Sequence, residues 1–527
     1  MGEDNRTTRS SFGWLNATQF LGALNDNVFR FLLVYLVIAL HGTESAAKAG
    51  VIGMVLLAMP FLLFSAAAGI LADKVSKRNI VVVAKGVEVV AMLAGCLAFY
   101  FRLEWVLFGI MFFMATQSAF FGPAKYGLIP ELVPRERLSK SNAWLQAMTN
   151  LAILLGTVLV PLLSRATHDN YFHASLVCVG IAILGLLVSL PIRHTPAAGV
   201  SRRASLFFLK DIQHTLASIR HDRYLVLAVL ASAYFTLLGA FMQINLIPYA
   251  LEELGLSKEA GTYLFLLVAV GIGLGAMLAG QLSGRNVELG IVPLGALGLT
   301  LGAMLLGFGS LGLVSVCMVV LLMGLSAGLF VVPLNAWIQS RAPRERLGEV
   351  LAASSFLSWV GVLLAAGLVH LLANVAGAAP RHGFALMGGL TLFLTIATLW
   401  VLPDFLVRFL ALVLTRSCYR LRMIGLENVP LDGSALLVCN HVSWADAVLL
   451  MATQQRRIRF LANRSIFQRR FWGPMMRLMG VIPIAMNDGP KQLVTSLQNA
   501  RAALDEGYLV CIFAEGALTR SGNLLSF

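Results

Sequence analysis

Charge is what this chain has least of. Only 13% of its 527 residues are Asp, Glu, Lys or Arg, where an average soluble domain carries roughly 25%. With 58% hydrophobic residues and a mean hydropathy of +0.80, a water-soluble fold is excluded and the chain reads as membrane-embedded. Acidic residues are the scarcer sign, 26 against 40 basic ones, for a net charge of +14. Long basic blocks are missing. The Lys and Arg residues fall in short loops between apolar runs, which is how membrane orientation is encoded. Nucleic acid is therefore not expected as a partner, and an anionic lipid leaflet is. The six cysteines, Cys96, Cys178, Cys317, Cys418, Cys439 and Cys511, lack paired or metal-like spacing, so neither a disulfide framework nor a metal site is expected. Residues 1–11 lead into an apolar span without a small-residue cleavage site, so no removable signal peptide is expected.

What the chain does have is long apolar runs. Twelve reach membrane-spanning length, at 12–41, 47–72, 79–102, 104–130, 141–164, 172–192, 223–251, 260–283, 288–308, 313–338, 348–373 and 383–404. They form two copies of a six-helix unit. PRERL at 134–138 recurs at 343–347, and GILADK at 69–74 is echoed by GQLSGR at 280–285, each roughly 210 residues later, the mark of an internal duplication. If the helices alternate, the loops holding Lys74, Lys77 and Arg78, then Arg135, Arg137 and Lys140, then residues 202–223, Arg285, and Arg341, Arg344 and Arg346 all lie on one side. By the positive-inside rule that side is the cytoplasm, and both termini lie there. The expected organisation is a six-helix bundle at 1–192, a cytoplasmic linker at 193–222, a second bundle at 223–404 and a soluble domain at 405–527. Within the linker, residues 205–219 space apolar groups beside Lys210, Asp211 and His214, as in an interfacial helix; a plain polar linker fits as well.

GILADKVSKR at 69–78 resembles the loop between the second and third helices of the major facilitator superfamily, with Ser76 in place of the usual second Gly. QFLGALNDN at 19–27 and GPAKYGLIPELV at 122–133 resemble the bacterial lysophospholipid transporter branch. The resemblance implies an all-α membrane protein with the twelve-helix major facilitator fold, in which helices one, four, seven and ten line a central cavity. It also implies a bacterial inner membrane and lysophospholipid as the transported substrate.

Asn25, Asp26, Asn27 and Arg30 stand near the centre of helix one, where each ionised side chain costs about 2.5 to 3.5 kcal/mol. Such a cost requires partners or water. Asp26 and Arg30, one turn apart, form an internal ion pair on one reading and a cavity site for a polar headgroup on the other. The resemblance adds Gln117, Lys125 and Tyr126 from helix four, and Gln243 and Asn245 from helix seven, to that cavity. Asn142, Gln146 and Asn150 make a polar stripe that serves either interhelical hydrogen bonds or a substrate path. Asp73, Lys74 and Arg78, with Arg135, Glu136, Arg344 and Glu345 of the PRERL loops, are assigned to a cytoplasmic gate held by charge pairs between the halves.

After Pro403 the texture changes. Residues 405–414 read as a short interfacial helix around Arg408. Strands at 420–425, 434–439, 458–462, 481–484 and 508–513 then alternate with helices at 445–453, 469–479 and 491–505, an α/β pattern. NHVSWAD at 440–446 and FAEG at 513–516 each follow a strand. Together they resemble the glycerolipid acyltransferases, which implies His441 as general base, Asp446 as the group that orients it, and Glu515 and Gly516 in acceptor binding. A hydroxyl attacking a thioester must lose its proton, and a carboxylate on the far ring nitrogen fixes the tautomer that accepts it. The family implies acyl carrier protein or coenzyme A as the thioester donor, with acyl carrier protein a possible partner. GVIPI at 480–484 lacks the following Arg of enzymes acting on phosphate monoesters, which favours a phosphodiester acceptor. The chain ends at Phe527, a few residues past the third motif, so the resemblance covers an incomplete α/β acyltransferase domain. The expected function is a transporter first, with reacylation second.

Overall fold

A computed structural model describes residues 2–42, 45–197, 199, 208–284, 287–401, 403–425, 428–430, 433–454, 456–470, 472–485, 487–516 and 518–519. It divides into two compact units, one formed by residues up to Val287 with Leu294–Phe393, the other by Glu288–Pro293 with Leu394–Phe527.

The first unit is helical. The N-terminal half holds α1 (Gly2–His41), α2 (Ser45–Lys74), α3 (Lys77–Tyr100), α4 (Glu104–Leu132), α5 (Leu138–Ala166) and α6 (Tyr171–Ser189). The C-terminal half holds α8 (Arg223–Glu252), α9 (Lys258–Ser283), α10 (Val292–Phe308), α11 (Leu313–Arg341), α12 (Leu347–His370) and α13 (Pro380–Val401). Among the described residues twelve helices are long and apolar enough to cross a membrane, matching the spans read from hydropathy. Intrahelical bonding is what makes these runs helices, since hydrocarbon offers backbone groups no other partner. Helix pairs inside hydrocarbon gain little from hydrophobicity and pack by close approach instead. On α9 and α11 that is a seam of small residues: a Cβ on Gly275 would lie 2.0 Å from the Leu325 carbonyl oxygen, and one on Gly324 2.3 Å from that of Val268.

The linker between the halves contains α7 (Phe208–Ile219), so of its two readings the helical one holds; residues 205–207 of that expectation lie outside the described ones. Ile212 packs with Ala66 and Ala353, and Phe208 meets Phe356 edge to face. This amphipathic helix therefore sits on the bundle of its own unit.

The second unit begins with α14 (Pro403–Cys418) and contains a parallel four-stranded sheet. Its strands are β1 (Ala435–Cys439), β2 (Ile458–Asn463), β3 (Ile482–Ile484) and β4 (Leu509–Phe513), in the order β1-β4-β2-β3, with α15 (Asp446–Thr453), α16 (Trp472–Leu478) and α17 (Pro490–Asp505) as connections. The strand expected at 420–425 does not form: Tyr419–Ile424 carry no regular structure, because a strand exists only with a neighbour to pair with. Arg408 of α14 ties the unit together. Its guanidinium pairs with Glu288 and donates to the Gln454 carbonyl at 2.8 Å, with side chains only 9% and 1% exposed.

Breaking a buried pair leaves an uncompensated charge, so Arg408→Leu is expected to destabilise this unit by about 3–5 kcal/mol. The double variant Glu288→Leu with Arg408→Leu should recover most of that loss. Thermal unfolding of the purified chain in detergent checks it, and equal losses in single and double variants would refute the assignment.

Candidate functional site

The first unit encloses a cavity of about 400 Å³. Its charged lining, Asp26 of α1, Lys85 and Glu88 of α3 and Lys125 of α4, comes from the N-terminal half with Gln117, and the C-terminal half adds a mixture of hydroxyl and amide groups, such as Thr236, Asn335 and Ser355, and apolar ones, such as Phe235, Val331 and Leu351. Of the residues read from sequence, Asp26, Gln117, Lys125 and Tyr126 line it. Ser118 donates to Asp26 Oδ2 at 3.5 Å, and the Lys125 ammonium lies over the Tyr126 and Phe121 rings at 4.7 and 5.5 Å.

The others stand elsewhere. Arg30 is not the partner of Asp26: its guanidinium donates to Asn27 Oδ1 at 3.1 Å and lies over Phe31, because Asn27 offers a nearer acceptor while Asp26 turns toward α4. Asn25 is fully buried and donates to Glu88 Oε1 at 2.9 Å, tying α1 to α3. Asn245 donates to the Pro380 carbonyl at 2.8 Å, a helix-packing bond, and Gln243 is exposed. Neither lines the cavity, so helix seven contributes Ser232, Phe235 and Thr236 in their place. The stripe on α5 divides: Asn142 exchanges two hydrogen bonds with Gln339 of α11 at 2.6 and 3.1 Å, Gln146 lines the cavity, and Asn150 bonds its own helix. Sequence reasoning missed Lys85 and Glu88, although two opposite charges one turn apart inside an apolar span were signal enough.

At the end of the bundle that carries the basic loops, Asp73 closes the halves together. Its two carboxylate oxygens accept from the backbone N–H groups of Gly348 and Glu349 at 2.7 and 2.9 Å. Those are orphan donors of the first turn of α12, at the positive end of its dipole. Gly69, one turn earlier, allows the contact, since a Cβ there would sit 2.6 Å from Ala352 Cβ. The remaining expected gate residues are less involved. Lys74, Glu136, Arg344 and Glu345 are exposed, Arg135 is half-buried, and Arg78 bonds the Leu190 and Ile192 carbonyls inside the N-terminal half. Other charge contacts at this end belong to the C-terminal half and the linker helix: Arg346 meets Glu349 at 3.0 Å and His214 of α7 at 3.1 Å, and Arg341 meets Asp222, the N-cap of α8, at 3.6 Å.

In the second unit, β1 and β4 are parallel neighbours with Cys439 opposite Phe513. Both motifs therefore leave the carboxyl ends of adjacent strands, where open α/β sheets bind ligands. His441 Nδ1 lies 3.0 Å from Asp446 Oδ2, and its ring stacks on Phe513 with centroids 4.1 Å apart. Asp446 Oδ2 also accepts from the N–H groups of Val442 and Ser443 at 2.7 and 2.8 Å. Partial burial pushes the Asp446 carboxyl up, but the Ser443 N–H, the His441 ring and the Val442 N–H together hold it below its ordinary value. It thus strengthens the turn at all pH above the ordinary carboxylate range, and that contribution is lost only as pH falls through the depressed value. Glu515 Oε1 accepts from the His441 N–H at 3.4 Å, and the His441 carbonyl accepts from the Thr519 N–H at 3.0 Å. Glu515 is buried and holds the His441 loop, and Gly516, at φ +63, makes the turn beyond it. Ala517 and residues 520–522 of the third motif lie outside the described residues.

Two six-helix halves around a central polar cavity have the layout of a secondary transporter, here joined to a domain bearing a His–Asp pair. The Major Facilitator Superfamily family model matches residues 15–366, and the chain belongs to that superfamily. The Acyltransferase model matches residues 420–527. Over 393 residues the chain is 28% identical to the lysophospholipid transporter LplT of Klebsiella pneumoniae, covering 73% of this chain and 93% of that one. Over 411 residues it is 29% identical to LplT of Salmonella typhimurium, covering 76% and 98%. In fold it is similar to the human organic anion transporter MFSD10, with a TM-score of 0.60 at 15% identity over 73% of this chain and 99% of that one. It is also similar to the transporter FucP in its outward conformation, at 0.58 and 15% over 73% and 97%.

Removing the Asp73 carboxylate forfeits two charge-assisted hydrogen bonds, each worth about 1.5–3 kcal/mol. In a background without native cysteines, oxidative crosslinking of Asn142→Cys with Gln339→Cys should slow by about tenfold or more when Asp73→Ala is added. Unchanged crosslinking would show that Asp73 does not hold the halves together.

Proposed function

We propose that the membrane half moves lysophosphatidylethanolamine and related lysolipids from the outer to the inner leaflet of a bacterial inner membrane, and that the fused domain restores the missing acyl chain. Both termini and the basic loops then face the cytoplasm. The observation that carries this reading is the mixed lining of the cavity, in which Asp26, Lys125 and Gln117 share one space with Phe61, Phe235, Val331 and Leu351. A single-tailed amphiphile needs such a pairing: its headgroup alone resists hydrocarbon, and a few polar groups at mid-depth lower that barrier while the tail stays in apolar surroundings. The relatives named lysophospholipid transporter, similar along nearly their whole length, support the same substrate class.

In the second step His441 Nε2 takes the proton of the lysolipid's free hydroxyl as that oxygen attacks the thioester carbonyl carbon. Collapse of the tetrahedral intermediate forms the ester and expels the thiolate, which leaves as the thiol with the proton held on His441. Asp446 keeps Nδ1 protonated and steadies the imidazolium formed midway. The thioester is carried by acyl carrier protein or coenzyme A and is a substrate. Tethering raises the concentration of imported lysolipid at the second site.

Uptake of labelled lysophosphatidylethanolamine into spheroplasts tests both steps. Asp26→Ala should reduce import by about tenfold or more, the scale of losing a charged contact. His441→Ala should leave import intact and lower conversion to the two-chain lipid by about 10²–10⁴-fold, the scale of general-base catalysis. An exporter of amphiphilic drugs would show no inward lipid movement, and a mere membrane anchor would leave import insensitive to Asp26.

A further inference from the structure

A hydroxyl inside a membrane helix commonly donates to a carbonyl of its own helix, since hydrocarbon offers no other acceptor. Thr18, Thr116 and Thr149 do so on α1, α4 and α5, toward Trp14, Phe112 and Leu145 at 2.8 to 2.9 Å. On α8, Thr236 donates to the Ser232 carbonyl at 3.0 Å. The Ser232 hydroxyl behaves differently. It is 6% exposed and has no hydrogen-bond partner among the described residues. Ser76, Thr195 and Ser283 share that condition, but of the four only Ser232 lines the cavity. A buried hydroxyl left unpaired is unfavourable, so its place on the cavity wall points to a partner that arrives with the guest. Beside it α12 comes close, since a Cβ on Gly361 would lie 2.9 Å from the Ala233 carbonyl oxygen. Ser358, one turn earlier on α12, also lines the cavity. The ionisable groups of the lining, Asp26, Lys85, Glu88 and Lys125, all belong to the N-terminal half. The charged part of a guest therefore finds its counter-charges there, and a neutral hydroxyl is what the Ser232 side can pair.

We propose that Ser232 is a specificity-determining residue of the transport site, and that its hydroxyl pairs with the free glycerol hydroxyl of a lysolipid. This rests on the transport reading above and adds to it which part of the guest marks it as cargo. Every lysophospholipid carries that hydroxyl on the same glycerol as its phosphate, whatever its headgroup. The contact therefore selects for the missing chain and not for the headgroup. Acylation turns the hydroxyl into an ester, which has no O–H to donate and brings a second chain. The repaired lipid then no longer offers the group its precursor did. A site built to bond a hydroxyl rejects an analogue without one, because its own polar group is left unpaired.

The test uses the full chain in phosphatidylcholine vesicles. Inward movement is measured for labelled 1-acyl lysophosphatidylethanolamine and for its 2-deoxy analogue, which has the same headgroup and chain but lacks the glycerol hydroxyl. The wild type should move the natural lipid about tenfold faster, the scale of one hydrogen bond to a buried group that is otherwise unpaired. Ser232→Ala should bring the ratio of rates toward one, by slowing the natural lipid and leaving the analogue nearly unchanged. It should also keep the wild-type melting temperature, since it removes a hydroxyl that bonds nothing in the resting protein. A serine with only a packing role would change both rates together and leave their ratio alone. An unchanged ratio in Ser232→Ala, or a wild type that moves both lipids equally, would overturn the proposal and leave lysolipid transport standing. A wild type that moves neither lipid would overturn the transport reading and this inference with it.

Discussion

A charge inside hydrocarbon must have a partner or water, and that constraint arranges the membrane unit. The chain places few ionisable side chains in its spans, and four of them, Asp26 of α1, Lys85 and Glu88 of α3 and Lys125 of α4, gather around one cavity, while Arg30 turns to Asn27. Elsewhere in the spans the polar groups turn inward on the backbone or on each other, as Asn27 does on the Ala23 carbonyl and Tyr234 on Thr391. The ionisable groups that line the cavity thus all come from the N-terminal half, while the C-terminal half lines it with hydroxyl, amide and apolar groups. The same logic gives α9 and α11 their glycine seam, because helices with no polar groups to exchange can only gain by approaching closely.

Duplication supplies the scaffold, and its imperfection supplies an electrostatic contact between the halves. Gly69 and Gly280 occupy matching places in the two copies, and each lets its helix approach the opposite half, at Ala352 and at Ala143. Four residues on, the first copy has Asp73 and the second has Gly284. Only the first can therefore offer a carboxylate to the helix that starts across the interface, and Gly348 and Glu349 are its partners. The closure at this end is thus two-sided in packing and one-sided in electrostatics. Arg346, Glu349, His214 and Thr215 add a second layer, which brings α7 into the same contact through bonds of 3.0 to 3.2 Å.

Hydropathy measures directly what makes a spanning helix, so the spans and the 6+6 repeat were legible in the sequence. The strand and helix order around His441 was legible for a similar reason, since both motifs close apolar runs that the sheet buries. What was hidden depends on which neighbour a side chain meets. Arg30 is one turn from Asp26, yet Asn27 is the acceptor it reaches. Asn245 lies on the expected helix but faces Pro380. The segment at 420–425 has strand-like composition but no strand beside it, and pairing partners are not written in a local pattern. Lys85 and Glu88 were passed over because an otherwise apolar run absorbs two charges in its average, although their spacing and opposite sign mark them.

The two acid–base pairs differ in burial. Lys85 and Glu88 are 2% exposed, and at that depth their mutual attraction is little screened by water. His441 and Asp446 are 20% and 21% exposed, so solvent reaches this pair. Asp446 spends its oxygen on two backbone N–H groups as well as the imidazole, so its charge is fixed by the loop and not by a guest.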